Sequence, residues 1–165
     1  KELLWVIEKG VISEDVQVKT TNIINGYHED FDFTLNEESN SNAKFSEPLT
    51  YLYEPNSAIL KSGAFKTLSE KLNIYKLNVN SHLYTHTELI EFPGRYFKIE
   101  KTLPYNKQLL KKESFVKANI SIRNFPETVL QIRKKFKINE GGDLYLFFTT
   151  NEFNEKIVLV CSKAN

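Results

Sequence analysis

Apolar and polar positions alternate along several stretches of this chain, and the alternation sets out most of its expected elements. Val11 to Ile24 runs through Val16, Val18, Thr20 and Ile23 with the period of a half-buried strand. Asn25-Gly26 is the dipeptide of a two-residue hairpin turn, and Tyr27 to Leu35, with Phe31, Phe33 and Leu35 on one face, returns as the second strand. Asp30 and Asp32 fall on the solvated face. Lys1 to Lys9 fits neither period well: Leu3, Leu4, Val6 and Ile7 suit a strand or a helix end, with Trp5 expected in the core. Asn36 to Glu47 is polar throughout and is expected to be a mobile loop.

Leu49 to Tyr53 suits a short strand that ends at Pro55. A helix then follows, capped by Asn56 or Ser57, with Ile59, Leu60, Phe65, Leu68 and Leu72 as its buried stripe. Gly63 inside it lowers helix propensity by about 1 kcal/mol relative to Ala, which implies close backbone packing there. Ile74 to Val79, His82 to Thr85 and Glu88 to Phe92 are short extended pieces. Pro93-Gly94 is a turn and a boundary, dividing the chain into residues 1–92 and 93–165. Arg95 to Leu103 alternates as a strand, Tyr96, Lys98 and Glu100 on one face and Phe97, Ile99 and Lys101 on the other. Asn106 caps a short helix, and Phe115 to Ile122 is a further strand. Pro126, close after Asn124 and Phe125, opens a helix whose stripe is Val129, Ile132 and Phe136, with Leu130 beside it. Asn139-Glu-Gly-Gly stops that helix, and Leu144 to Thr150 and Lys156 to Ser162 close the chain as a hairpin. The fold class is α+β, two small subdomains. Tyr53, Phe65 and Leu68 join Trp5 in the first core; Phe97, Ile120, Ile132, Phe147 and Val158 form the second.

Composition changes this picture in two ways. The 165 residues include no methionine, so the expectation is a fragment of a longer protein. The net charge of +1 conceals a division: residues 1–55 carry 4 Lys/Arg against 11 Asp/Glu, and residues 56–165 carry 18 against 10. A basic carboxyl-terminal portion favours a polyanionic partner. No apolar run approaches a membrane span and no segment has the pattern of a signal peptide. The single Cys161, within KIVLVCSK, suits a buried or edge strand of a cytoplasmic protein.

Candidate chemistry is sparse. His82 and His86 stand four apart, a spacing that aligns two imidazoles only on a helix, and SHLYTHTELI disfavours one; surface or capping histidines are the expectation, and no metal site. Gly141-Gly142 precedes a strand and makes no phosphate loop. Neither a catalytic constellation nor a cofactor site is present. Basic residues around the strand Phe115 to Ile122 and the helix after it are the stronger signal. Lys117, Asn119, Arg123, Asn124, Lys134 and Lys135 are the candidate RNA-binding face, extended by Tyr105, Lys107, Lys111 and Lys112. Cations interleaved with aromatics suit RNA loops or single strands. For any single lysine the bland alternative is an ordinary solvated helix face.

The segments YLYEPNSAILKSGAF, NSHLYT, EFPGRYFKIEK, KANISIRNFP and GGDLYLFFTT recur in order. On them the chain resembles the carboxyl-terminal part of bacterial SAM-dependent methyltransferases that carry a ferredoxin-like and then a THUMP-like domain after the catalytic domain. The resemblance implies a ferredoxin-like subdomain over residues 1–92, a THUMP-like subdomain over 93–165, and presentation of RNA to that catalytic domain. It implies SAM as cofactor of the missing domain only, because no Asn-Pro-Pro-Tyr-type motif or Gly-rich SAM loop is present here. The competing expectation is a structural module that docks on the catalytic domain or on another subunit.

Overall fold

The computed structural model describes residues 4–10 and 14–164. Its elements are β1 (Gln17–Ile24), β2 (Tyr27–Thr34), α1 (Leu35–Asn40), β3 (Tyr51–Pro55), α2 (Ser57–Ser62), α3 (Phe65–Lys71), β4 (Tyr75–Lys76), β5 (Tyr84–His86), β6 (Gly94–Pro104), α4 (Lys107–Lys112), β7 (Lys117–Ile122), α5 (Val129–Phe136), β8 (Asn139–Thr150) and β9 (Lys156–Lys163). β1 and β2 form a separate antiparallel hairpin, and the other strands form one sheet in the order β4-β5-β3-β6-β9-β8-β7. The sheet crosses the 93/94 boundary, because β3 pairs with β6. Every pair in it is antiparallel except β7 with β8, which α5 connects.

Local chemistry explains where the elements start and stop. Asn25 and Gly26 both have positive φ, 51° and 85°, as the tight turn between β1 and β2 demands. The stretch expected to be a polar loop begins with a helix instead. Thr34 and Glu37 form a reciprocal capping box that starts α1, with Glu37 N–H donating to Thr34 Oγ1 at 3.0 Å and Thr34 N–H to Glu37 Oε2 at 2.7 Å. The helix expected after Pro55 is two helices. Asn56 caps α2, and Gly63 ends it in the left-handed conformation with open space where a Cβ would stand, so it serves as a terminator and not as a close-packing site. α5 begins later than Pro126 suggests: Thr128 and Gln131 make a second capping box, and Asn124 at φ 51° turns the chain beforehand. The Asn139-Glu-Gly-Gly stretch belongs to β8, and the helix stop is Lys137, at φ 58°.

Three apolar clusters hold these elements together. Phe33, Tyr53, Ile59, Leu68, Tyr84 and Phe92 form the first, under the hairpin and α2 and α3. Leu110, Ile132, Leu146, Phe148, Val158 and Val160 form another beneath α4 and α5, and Leu52, Leu77, Leu83, Phe97, Phe147, Leu159 and Cys161 fill the opposite face. Alternate residues of β8 and β9 feed the two faces, which is why IVLVC is a continuous apolar run. Burying Ile132 fully contributes about 1.5–3 kcal/mol, while Leu130 on the same helix faces solvent. A register shift between Ile99 and Lys101 makes Glu100 an extra residue in β6 and reverses its faces, so Phe97 and Ile99 join the cluster of Leu52 and Leu159 but Leu103 the one beneath α4 and α5. Simple alternation had placed Phe97, Ile99 and Lys101 together. Trp5 is 71% exposed, outside every core, and Phe65 and Ile120 are half-buried.

Candidate nucleic-acid interface

The sheet is strongly coiled, and one buried carboxylate shows how far. β3 and β7 are four strand spacings apart, about 19 Å if the sheet were flat. Yet Glu54 of β3 accepts two hydrogen bonds from Arg123, just beyond β7: Nε at 3.1 Å and Nη2 at 2.8 Å, both to Oε1. Glu54 Oε2 takes the Nε and Nη2 of Arg95, its cross-strand partner on β6. Glu54 is only 3% exposed, whereas the side chains of Arg95 and Arg123 are 59% and 36% exposed. Arg95 also lies over the Phe97 ring. One buried charge thus fixes the orientation of two guanidiniums that reach solvent.

Behind this clamp, a polar seam closes the coil. Asn78, in the loop after β4, donates to the Asn151 carbonyl at 2.8 Å and accepts from Asn124 Nδ2 at 3.1 Å. Thr150 Oγ1 donates to the Asn124 carbonyl at 2.6 Å. Lys76 is buried with its Nζ on the Val79 carbonyl and over the Phe65 and Tyr84 rings, and burial holds its pKa below the usual lysine value. His82 stacks on Phe65 with centroids 3.7 Å apart, and its Nδ1 is buried without a hydrogen-bond partner among the described residues. His86 ends β5, and its Nδ1 accepts from Glu88 N–H at 3.1 Å. The two imidazoles have separate structural settings, and His82, expected at the surface or as a cap, is instead half-buried because its ring packs flat on Phe65.

His82 makes a pH-dependent contribution to stability. Burial first, then the charges of Lys76 and Arg123, bring its pKa down to about 4 from 6.5. Above pH 6.5 the ring is neutral in both folded and unfolded chains. As pH falls from 6.5 to 4, the unfolded chain binds a proton that the folded one refuses, so stability falls, by about 2 kcal/mol in all for this half-buried ring. His82→Asn, a residue that tolerates the positive φ found here, should flatten the pH dependence of urea unfolding between pH 6.5 and 4 relative to wild type.

The six sequence-predicted residues do not gather into one contiguous face. Lys117 begins β7 and Arg123 follows its end, six residues away and so roughly 20 Å along an extended strand. α5 runs back alongside β7, bringing Lys134 and Lys137 toward the Lys117 end, where Asn139 pairs with Lys117. Asn119 is used internally: its amide donates to the Gly142 carbonyl at 2.7 Å and braces the bulge where Ala118 pairs with Glu140 but Asn119 with Tyr145. Lys135 is also engaged, with Glu127 Oε1 and Tyr105 Oη both at 2.8 Å, and the Glu127 carboxylate followed by the Tyr105 hydroxyl raises its pKa. Arg133, in the basic last turn of α5, donates to the carbonyls of Ile138 and Ala118. Among the described residues Lys111, Lys112, Lys117, Lys134 and Lys137 have no ion pair, and Lys111, Lys135 and Lys137 line a small hollow of about 280 Å³ between α4 and α5. The unpaired cations thus lie at one end of β7 and the clamped arginines at the other. Sequence reasoning missed Glu54 and Arg95, since nothing local marks a pair made across strands.

Two family models match successive parts of the chain. Residues 51–93 match a family model described as a ferredoxin-like domain, and residues 94–163 one described as THUMP domain-like. The fold is α+β, a ferredoxin-like unit followed by a THUMP-like one. The clamp spans both, with Glu54 in the first and Arg95 and Arg123 in the second. The chain also superposes on the crystal structure of a protein from Porphyromonas gingivalis W83 described as a putative methyltransferase, with a TM-score of 0.87 and 36% identity. That match covers 91% of this chain and 38% of the other, so the chain spans well under half the length of that protein. No curated protein matches. Among the described residues no helix is long and apolar enough to cross a membrane, and no cluster of metal-ligating side chains occurs.

Proposed function

We propose that this chain is the accessory, RNA-binding region of a SAM-dependent RNA methyltransferase whose catalytic domain lies outside it. The observation that carries this reading is the THUMP-like match over residues 94–163, joined to the likeness to the protein described as a putative methyltransferase, of which the chain spans only 38%. In this role Lys117 and Lys134 meet phosphates at one end of β7, and Arg123 and Asn124 contact RNA at the other. Asn119 and Lys135 shape the surface between them. Phosphate contacts of this kind orient a substrate without reading its bases, which is what presentation to a separate catalytic centre requires. The parent protein uses SAM in its own domain; this chain holds none, lacking the motif residues for it.

A second reading has its own support. Leu4, Trp5, Val6 and Ile7 are exposed, as are Ile23, Ile24 and Tyr27 around the hairpin turn, and such apolar residues suit docking on another domain or subunit. Crosslinking the full-length protein to cellular RNA and mapping the adducts separates the two. Adducts within residues 94–163 support RNA presentation. RNA adducts confined to the catalytic domain would favour the docking role.

A further inference from the structure

An open groove of about 660 Å³ lies where the two units join, bounded by the hairpin, the β3–α2 turn, the start of β6 and Arg123. Its charged groups are Glu29, Glu54, Lys61, Arg95 and Arg123. Both arginines address Glu54 through the Nε/Nη2 side, which leaves each Nη1 edge without a hydrogen bond among the described residues. An arginine normally spends side-chain entropy when it grips a ligand; here Glu54 has already ordered both, and their net charge with it is +1. On the hairpin wall, Glu29 Oε2 accepts the amides of Asn22 at 2.9 Å and Asn56 at 3.0 Å, so its carboxylate is fixed, and Oε1 accepts no hydrogen bond among the described residues.

Two oriented guanidiniums and one fixed carboxylate form a donor–acceptor set with a specific complement. The guanidinium edges suit phosphate oxygens, which only accept hydrogen bonds. Glu29 repels phosphate and can only accept, so the group facing it must be a neutral donor. A ribose 2′-hydroxyl is such a donor, and it is the group that distinguishes RNA from DNA. We infer that this junction groove binds a ribose–phosphate step of single-stranded RNA, Arg95 and Arg123 gripping phosphate through their Nη1 edges and Glu29 accepting from the 2′-hydroxyl. Glu54 is the positioning residue. This rests on the RNA-binding role proposed above and adds Arg95, Glu29 and a preference for ribose to it.

The test is fluorescence anisotropy of a labelled ten-residue oligouridylate, and of its 2′-deoxy counterpart, with the 165-residue chain. Arg95→Lys and Arg123→Lys keep a cation on Glu54 but remove the planar edge. Each is expected to weaken RNA binding about five- to tenfold with an unchanged melting temperature. Glu29→Ala is expected to bring the RNA and DNA affinities within twofold of each other. Side-chain Nε–Hε NMR signals of the wild type give a readout independent of any variant's folding, and those of Arg95 and Arg123 should shift on RNA addition. If wild type binds RNA while both Lys variants bind equally well and neither arginine signal shifts, the groove is not the site and the RNA-binding role stands. If wild type binds neither oligonucleotide, that role falls, and the groove with it.

Discussion

Gly94→Ala should lower the melting temperature by roughly 10 °C or more. A Cβ at this position would stand 2.3 Å from the Glu54 carbonyl oxygen and 2.8 Å from the Asn56 nitrogen, distances that no rotation relieves because both atoms are backbone. Gly94 also has φ +155°, which L side chains rarely adopt. The residue starts β6 opposite Pro55, the last residue of β3, and Asn56 caps α2 while donating its N–H to the Pro93 carbonyl at 3.0 Å. A methyl group must therefore part β3 from β6 or displace the α2 cap. Overpacking and backbone strain together cost about 3–5 kcal/mol, a large share of the stability of an ordinary domain. At this chain length each kcal/mol moves the midpoint by about 2–4 °C. Thermal unfolding followed by circular dichroism measures it. A midpoint within 2 °C of wild type would mean that β3 and β6 do not approach as closely as described.

The second large effect concerns the clamp. Removing both cations, in Arg95→Ala/Arg123→Ala, strips buried Glu54 of the two guanidiniums that hydrogen-bond it, and breaking a buried pair in this way costs about 3–5 kcal/mol. Either single substitution should cost much less, since the other guanidinium still donates twice to the carboxylate. The double change should then exceed the sum of the singles, as expected for groups that share a partner. Adding Glu54→Gln to the double variant should recover part of the loss, because a neutral amide needs no counter-charge. Urea unfolding of the four variants beside wild type decides this. Additive singles, with no recovery from Glu54→Gln, would show that the arginines stabilise the chain independently of the carboxylate.

Much of the local structure was legible before any coordinates. Asn25-Gly26, the caps at Asn56 and Asn106, and the closing hairpin all depend on residues a few places apart, and these the sequence displays directly. Two helix starts were missed although their signals are equally local: Thr34-Leu-Asn-Glu and Thr128-Val-Leu-Gln both spell capping boxes. Pro126 lies two residues before the second and mimics an earlier helix start. The face reversal at Glu100 was not legible, since a single extra residue leaves the apolar pattern looking like ordinary alternation. Nor was the site. Arg123 meets Glu54 from 69 positions away, through the coiling of the whole sheet, and a basic cluster in sequence became two regions separated by the length of β7. Nor does sequence spacing show that Glu127 and Tyr105 hold Lys135.

RNA binding is the central claim, and its salt dependence tests it most directly. Labelled single-stranded RNA is titrated with the 165-residue chain from 50 to 300 mM salt. Lys117, Lys134 and the junction arginines imply about three to five phosphate contacts, so log K should fall linearly with log salt at a slope of about −2 to −3.5. No detectable binding at 50 mM salt, or an affinity that stays flat across the range, would contradict the account and leave an apolar docking module in its place.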